Sequence, residues 1–432
     1  TVFFVWRSNE QPEPDPVAAT VPVAISNLDV PKKLKIGVVV TLGQGRAEGA
    51  EWQAAAQGAR VAQYRLAMGG NNVELVVEDD RGTVKGGAEA IARLSEKGVS
   101  GVVVASSGAH IDGSVEAAAQ AKIPVVLPYA ASRESWAETS SVWSMDPGTS
   151  ATVTAINDSL EAFSHPVLLE VGATGLDGVD ASETLRPERG DLEGFADEVA
   201  RRTGADLSAH GAYAGGSEEE DGEEGADSED DPQPLIDALV VDGHPSAIAR
   251  LVASLEARNV SVPIVLSPAA LSPGFTSSLS EHQGTVSPNL RTIGVGAEDS
   301  AALGRNAGGR AMSAYLQSLR QLAEDPNAMN LTEDAPFLDS APWADVRSHD
   351  AILALATAAA RGESSDPVKV LEGFEGLELS AADGVAGSNL SFGSEQAVSD
   401  DLHVLYATGQ ELGLRPQDPE NLILEWFVEP AA

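Results

Sequence analysis

Short apolar segments alternate with helical patterns from residue 34 onward. Strands are predicted at 34–42, 73–78, 101–105 and 123–127, with helices between them at 47–68, 86–97 and 112–121. Each strand is a continuous apolar run, which is typical of strands buried on both faces. Strict alternation of this kind predicts a parallel sheet covered by helices on both sides.

A second series of the same kind begins after residue 147. It predicts helices at 151–163, 192–202 and 246–258 and strands at 166–171, 238–241 and 263–266. A chain of 432 residues is long for one ordinary domain and long enough to bury two cores. We therefore predict an α/β fold of two doubly wound parallel-sheet lobes, with helices on both faces of each sheet. Ligands of such sheets bind beyond the carboxyl ends of the strands, so two facing lobes place a cleft between those ends.

Three segments lack any apolar period. Residues 8–31 are rich in Pro, Glu, Asp and Ala and predict an extended tether, preceded by residues 1–6, which are apolar and end at Arg7. That start is typical of the end of a membrane anchor or of a frayed terminus. Residues 215–231 predict a solvated acidic loop, because the spacing of their acids fails the twelve-residue calcium template. Residues 323–340 are taken as a surface loop.

Charge and composition exclude several classes of function. The net charge is -39, and no basic stripe is available to follow a phosphate backbone, so nucleic acid is not an expected partner. The chain has no Cys, which excludes disulfides and thiolate metal sites. No nucleophile elbow, phosphate loop, H-E-x-x-H pair or dinucleotide fingerprint occurs. We expect neither an enzyme nor a cofactor.

The apolar segments fall in the order and spacing of a known family. They are residues 35–40 (KIGVVV), 58–62 (GARVA), 73–80 (VELVVEDD), 98–104 (GVSGVVV), 123–128 (IPVVLP), 262–265 (VPIV), 349–352 (HDAI) and 384–387 (GVAG). The series resembles the type I periplasmic binding proteins of the branched-chain amino-acid-binding class, a family of extracellular ligand-binding receptors. The resemblance implies lobes joined by a three-crossover hinge. It divides the chain into a tether at 1–31, a first lobe at 32–146 plus 299–388, and a second lobe at 147–298 plus 389–432.

The resemblance also implies where a ligand binds the first lobe. In the family the turn after the third strand holds the ligand's carboxylate, and Ser106 and Ser107 match it, although either hydroxyl can instead cap the following helix. After the next strand, the family uses a backbone carbonyl and a hydroxyl, which match Ala130 and Ser132. Trp52 lies near the position of an aromatic residue that covers the ligand, with packing as the alternative.

The second lobe departs from the family pattern. His244 falls where relatives carry a Tyr, and Asp242 lies two residues earlier, at the end of a strand. Residues 172–178 stand where many relatives have a Tyr-Gly turn. Amino-acid-binding relatives carry an acidic residue near 267–270, where this sequence reads SPAA. Asp242 is the nearby substitute. A cation closed into a cleft without an anionic partner is costly, so we expect a neutral amide, a carboxylate or another small polar metabolite rather than a branched-chain amino acid.

These observations predict an extracytoplasmic solute-binding protein that closes on a small polar, amino-acid-like ligand for uptake by an ABC permease. The alternatives are a membrane-tethered sensor ectodomain with a signalling partner, and a surface protein that kept the fold but lost the pocket.

Overall fold

The predicted alternation forms a five-stranded sheet within the described part of the chain. The computed structural model describes residues 24–43, 47–136, 139–172, 175–205, 235–398, 401–416 and 422–428. The strands lie in the order β2-β1-β3-β4-β5, and every pairing is parallel. The elements are β1 (Leu34–Val40), α1 (Gly58–Met68), β2 (Val73–Asp79), α2 (Val84–Glu96), β3 (Gly101–Val104), α3 (Asp112–Ala121), β4 (Val125–Leu127) and β5 (Val142–Ser144).

The second series forms the sheet of lobe 2. Its elements are α4 (Thr149–Leu160), β6 (Pro166–Val171), β7 (Glu183–Leu185), α5 (Leu192–Arg202), β8 (Ala238–Gly243), α6 (Pro245–Ala257), β9 (Ile264–Leu266), α7 (Pro273–Glu281) and β10 (Leu290–Gly294). The remaining elements are α8 (Ala307–Glu324), α9 (Val346–Arg361), α10 (Pro367–Gly373), β11 (Glu378–Leu379), β12 (Leu390–Ser391), β13 (His403–Thr408) and β14 (Glu425–Val428).

The sequence predicts a parallel sheet in each lobe, but the sheet of lobe 2 contains two antiparallel pairs. Its described strands lie in the order β14-β13-β10-β9-β8-β6-β7. The last two in the chain pair antiparallel, β13 with β10 and β14 with β13. Strands β13 and β14 are joined by residues 409–424, and no helix is described in that connection. A parallel pair needs a crossover of a dozen or more residues, usually helical, whereas antiparallel strands do not.

The lobes are defined by which sheet an element packs on. Helix α9 packs against β1, β3 and β4, although it lies far from them in the sequence. Twelve of its residues are buried, among them Leu353, Ala354 and Leu355. The chain passes between the two sheets at 145–148, at 295–306 and after Phe392, which still lies in the core of lobe 1. The predicted lobe boundaries at 146/147, 298/299 and 388/389 stay predictions.

Two segments of lobe 1 differ from what the sequence predicted. Residues 24–31, the end of the predicted tether, pack on the lobe: Ile25 is buried, and its N–H donates to the carbonyl of Arg65 at 3.1 Å. The predicted helix at 47–68 begins only at Gly58. Before it, the chain forms two short 3₁₀ turns, at Ala50–Trp52 and Ala55–Gln57. Gly49, with φ at 93°, starts the first of these turns.

Three predictions concern regions outside this description. Residues 1–23 and the acidic loop at 215–231 fall outside the described residues, so the anchor, most of the tether and the loop stay predictions. Within the described residues, no helix is long and apolar enough to cross a membrane.

Candidate functional site

The turn at Ala50–Trp52 brings an aromatic stack to the carboxyl end of the first sheet. The rings of Trp52 and Tyr129 are stacked, with centroids 4.4 Å apart and planes 5° from parallel. The guanidinium of Arg347 lies 4.8 Å from the Trp52 ring centroid and 4.7 Å from that of Tyr129. Two bonds of 3.2 and 3.3 Å join Arg347 to Asp345. Trp52 is therefore a packed residue beside the cleft, and its exposed fraction is 5%.

Ser107 carries the contact that most defines the site. Its hydroxyl donates to Glu51 Oε1 at 2.8 Å and accepts from Trp52 Nε1–H at 3.1 Å. Glu51 Oε2 accepts from the N–H of Gly49 at 2.9 Å. The structure therefore places the protein's own carboxylate on the hydroxyl predicted to receive a ligand's carboxylate.

His244 of lobe 2 faces the same carboxylate from across the cleft. Its Nε2 lies 3.8 Å from Glu51 Oε2. Its Nδ1 accepts from the N–H of Ser246 at 3.3 Å, which caps α6 and leaves Nε2 as the ring nitrogen that faces Glu51. The contact joins the two lobes through two side chains, Glu51 and His244.

Ser106 points away from the cleft. Its hydroxyl lies 2.8 Å from Thr41 Oγ1 and 3.1 Å from His110 Nε2, and its side chain is fully buried. Asp80 completes the cluster, because Asp80 Oδ1 accepts from Thr41 at 2.7 Å and Asp80 Oδ2 lies 3.1 Å from His110 Nε2. Burial lowers the pKa of His110, but the carboxylates of Asp80 and Glu48 together outweigh it, and the pKa is raised. Ser106 therefore belongs to a buried network of lobe 1.

The residues after β4 also make internal contacts. The carbonyl of Ala130 accepts from Ser144 Oγ at 2.7 Å, and Ser132 Oγ donates to Glu395 Oε2 at 3.1 Å. The second bond joins lobe 1 to the third passage between the sheets. Ala130 and Ser132 therefore make contacts within the hinge region, and neither residue lines the pocket described below.

Asp242 does not supply the missing anion of the cleft. Its side chain is buried, and its Oδ2 accepts from the N–H of Gly175 at 2.9 Å. The carboxylate thus holds the loop after β6. The sequence could not show this, because the end of β8 faces both the cleft and the neighbouring strand.

A cavity of about 360 Å³ lies between the lobes, which we call the interlobe pocket. Lobe 1 contributes the two turns after Gly49 and the segment near 330–343, and lobe 2 contributes the N-terminus of α6 and one face of α7. Ten of its sixteen lining residues are polar or charged, and the lining is formed by Ala50, Glu51, Gln53, Ala54, Gln57, His244, Pro245, Ser246, Pro273, Gly274, Ser277, Ser278, Glu281, Asn330, Ser340 and Trp343. Of the residues predicted to bind a ligand, only His244 is part of the described pocket lining. Ser107 bonds to Glu51, and Trp52 bonds to Ser107.

Sequence reasoning missed Glu51 and the segment at 323–340. The sequence predicts a surface loop there, yet Leu331 and Phe337 are buried, and Asn330 and Ser340 line the pocket. The buried apolar residues Leu331 and Phe337 were the available signal. For Glu51 the signal was Gly49, which breaks the helical pattern two residues before it.

A second cavity lies at the passages between the lobes and is lined by Asp146, Glu298, Asp345, Arg347 and Asp350, among others. Burial raises the pKa of Glu298 to about 7, even though Arg347 lowers it. Burial also raises the pKa of Asp146. The hinge therefore contains carboxyls that hold their protons to unusually high pH. Among the described residues, no group of three or more His, Asp or Glu side chains could hold a metal ion.

Comparison with known proteins identifies the fold. A family model described as periplasmic binding protein matches residues 33–164. No curated protein matches the sequence. The solved LivJ of Streptococcus pneumoniae, a branched-chain amino acid transporter substrate-binding protein in complex with isoleucine, is similar over 92% of this chain and 100% of its own, with a TM-score of 0.62 and 15% identity.

Two further solved structures agree with this result. LivK of Thermotoga maritima, a leucine-binding protein, is similar over 92% of this chain and 99% of its own, with a TM-score of 0.59 and 15% identity. An ABC transporter substrate-binding protein of Desulfitobacterium hafniense in complex with leucine covers 92% of this chain and 100% of its own, at a TM-score of 0.59 and 12% identity. The chain has the fold of the type I periplasmic binding proteins, and the predicted resemblance is confirmed.

Proposed function

We propose that this chain is an extracytoplasmic solute-binding protein that closes on a small polar ligand in the interlobe pocket. The observation that carries the proposal is the composition of that pocket. Glu51 and Gln57 come from lobe 1, whereas His244 and Ser278 come from lobe 2, and all four line one cavity. A ligand held there contacts both lobes only when they are together.

Such a pocket couples binding to shape. A ligand that contacts both lobes binds the closed arrangement better than the open one, so it shifts the population toward closure. Glu51 and His244 are the proposed ligand contacts. Ser107 and Trp52 are proposed to hold the Glu51 carboxylate in place, through the bonds of 2.8 and 3.1 Å at Ser107 Oγ.

Uptake through an ABC permease is the proposed purpose of closure. The solved structures LivJ and the Desulfitobacterium protein are described as transporter substrate-binding proteins, which favours this partner. They are also binding proteins rather than enzymes. Attachment to a membrane through the residues before Ile25 is part of the proposal, as is the extracytoplasmic location. A sensor ectodomain would use the same closure with a signalling partner.

One observation favours a second candidate, a surface protein that no longer binds a ligand. In the described structure, the hydroxyls of Ser106, Ser107 and Ser132 are all bonded to other side chains of the chain itself. A site whose donors are already used offers less to a ligand, because a new bond must replace an existing one.

A screen of small solutes separates the two candidates. The full chain is heated with panels of amino acids, amides, carboxylates and amines, since a ligand that binds only the native state raises the melting temperature. A binding protein gives at least one solute that raises this temperature and also reduces the radius of gyration measured by X-ray scattering. If no solute of any class changes either quantity, the non-binding candidate stands and the proposal fails.

A further inference from the structure

We infer that the solute bound in the interlobe pocket is an organic cation, presented through an amine or a similar donor. The inference rests on the proposed function and names the ligand class of the same site. It follows from three features of the pocket: an anchored carboxylate, a lining without Lys or Arg, and an aromatic wall.

The first feature is the fixed position of the Glu51 carboxylate. Its carboxylate is held by Ser107 Oγ at 2.8 Å and by the N–H of Gly49 at 2.9 Å, and its side chain is only 8% exposed. Both contacts are donors to the ionised form, which stabilises the negative charge at a place where water has little access. The carboxylate is therefore pre-positioned, so no ordering of a flexible side chain opposes binding of a positive group.

Glu51 also occupies the position where a ligand carboxylate was expected. The donors that would receive an anionic ligand are Ser107 Oγ and the neighbouring backbone amides, and Ser107 Oγ is bonded to Glu51. An anionic ligand would have to displace Glu51 and leave its charge with less compensation nearby. Two carboxylates placed side by side repel each other, so this arrangement selects against anions.

The second feature is the charge of the lining. Glu51 and Glu281 contribute carboxylates, and no Lys or Arg belongs to the described lining of the pocket. Two guanidinium groups near this region are already paired. That of Arg60 donates to the carbonyl of the lining residue Asn330 at 2.9 Å and lies 3.2 Å from Glu333. That of Arg347 is paired with Asp345 and stacked on Trp52. The pocket is therefore negative, in a chain whose net charge of -39 also attracts cations.

The third feature is the indole of Trp343, which forms part of the wall. The face of an indole attracts cations, especially where water is excluded. Glutamine, asparagine and serine side chains complete the lining and can accept or donate as a ligand requires. A cavity of about 360 Å³ is within the usual size for a small-molecule site.

The test uses probes of one size and different charge: n-butylammonium, butyramide and butyrate, together with leucine as a zwitterion. Binding to the full chain is measured by calorimetry at low and at high salt. The amine is expected to bind at least tenfold more tightly than butyrate and to lose affinity as salt rises. Glu51→Gln should weaken the amine at least tenfold, and Glu281→Gln, at the exposed rim, by about threefold or less.

Glu74→Gln is the matched control, because Glu74 is exposed on β2 and pairs with Lys35 at 3.3 Å. It should leave amine binding unchanged. If Glu51→Gln does not fold, the salt dependence and the charge preference of the unaltered chain still decide the inference. Tighter binding of butyrate or leucine than of the amine would overturn the inference and leave the proposed function intact. Absence of amine binding would overturn the inference, whereas the proposed function fails only if the wider screen of solutes finds no ligand.

Discussion

Gly274 of lobe 2 approaches Glu51 of lobe 1 so closely that a Cβ on the glycine would lie 2.6 Å from Glu51 Cβ. It would also lie 3.0 Å from Glu51 Cα. The contact places the N-terminus of α7 against the Ala50–Trp52 turn. Any side chain at position 274 therefore has to push the two lobes apart or distort that turn.

Gly274→Val should shift the protein toward an open arrangement. The clash involves Cβ and Cα of Glu51 rather than the far end of a flexible side chain, so local adjustment cannot relieve it. X-ray scattering should give a larger radius of gyration than for the unaltered chain, with an unchanged far-ultraviolet circular dichroism spectrum. Gly308→Val is the control, since a Cβ there would meet only Asn306 Oδ1 at 3.6 Å. An equal radius for both variants would contradict the close contact.

Ser106 and Ser107 should respond differently to the same substitution. Ser106→Ala removes a hydroxyl from a fully buried network and leaves Thr41 and His110 with one partner fewer. The expected loss is about 1 to 3 kcal/mol of the free energy of unfolding. Ser107→Ala removes a half-buried hydroxyl at the edge of an open cleft, where water can replace its bond to Glu51, so it should cost less than Ser106→Ala. Urea unfolding measures both, and the reverse order would place Ser107 in the buried network instead.

Trp52→Ala should destabilise lobe 1 strongly. The indole is stacked on Tyr129 and covered by Arg347, and its removal leaves a cavity next to the buried turn. Large aromatic residues replaced by Ala in a core cost about 3 to 5 kcal/mol. Trp52→Phe keeps a ring and loses the Nε1–H bond to Ser107, so it should cost clearly less. A loss below 1 kcal/mol for Trp52→Ala, measured by urea unfolding, would show that the stack is dispensable.

The Glu298→Gln variant should gain stability relative to the unaltered chain as pH rises. Burial raises the pKa of Glu298 from 4.5 to about 7 in the folded state, so between these values the unfolded chain loses the proton first. The unaltered carboxyl therefore costs stability progressively from about pH 4.5 to about pH 7, and the cost persists above that range. The amide has no such cost. Unfolding measured at pH 5 and pH 8 should show the variant gaining relative to the unaltered chain at pH 8, whereas exposed Glu74→Gln should show no such gain.

Asp350→Asn, which keeps the shape of the side chain, should strongly lower the free energy of unfolding. Asp350 accepts from His349 Nδ1 at 2.7 Å and from the N–H groups of Ala386 and Gly387 at 3.0 and 2.8 Å. It also offsets the charge of Arg65, whose pKa burial lowers to about 10. Removing one partner of a buried charge pair costs about 3 to 5 kcal/mol.

Asp366→Asn provides the comparison for Asp350. Asp366 caps α10 at an exposed site, where it accepts from the N–H of Val368 at 2.9 Å. Asn is as good a cap as Asp, so this change should be nearly neutral. Similar melting temperatures for the two variants would mean that the charge of Asp350 is not needed in the core.

The lobes could be predicted from sequence because their strands are buried on both faces. Val102, Val103 and Val104 are wholly buried, and such a run leaves few structural alternatives once helices flank it. Strand β13 gave no such signal, since His403 and Tyr406 interrupt its apolar pattern. Pairing between distant segments such as β10 and β13 depends on the whole fold, so it could not be read from local pattern.

The candidate site was harder to predict than the fold. Ser106 and Ser107 are adjacent in an extended turn, and neighbouring side chains there point in opposite directions, so the sequence could not say which faces the cleft. Glu51 was hidden inside a pattern that reads as one helix from 47 to 68. That pattern is broken at Gly49, whose φ of 93° is left-handed. The α-helix begins only at Gly58, which packs directly on the backbone of Asp345, where a Cβ would lie 1.9 Å from the carbonyl oxygen. That contact joins segments almost 300 residues apart.

The position of α9 in the chain determines when lobe 1 can fold. The last of the five strands of its sheet ends at Ser144, but the helix that fills its core begins at Val346, about 200 residues later. At ribosomal rates of about 5 to 20 residues per second, that interval lasts roughly 10 to 40 seconds. During this time α1 covers only part of the face on which α9 later packs, and the rest of that apolar face is open to chaperones or aggregation. We expect the ribosome-bound chain to remain without a finished lobe until synthesis is almost over, and folding to follow as a single late event.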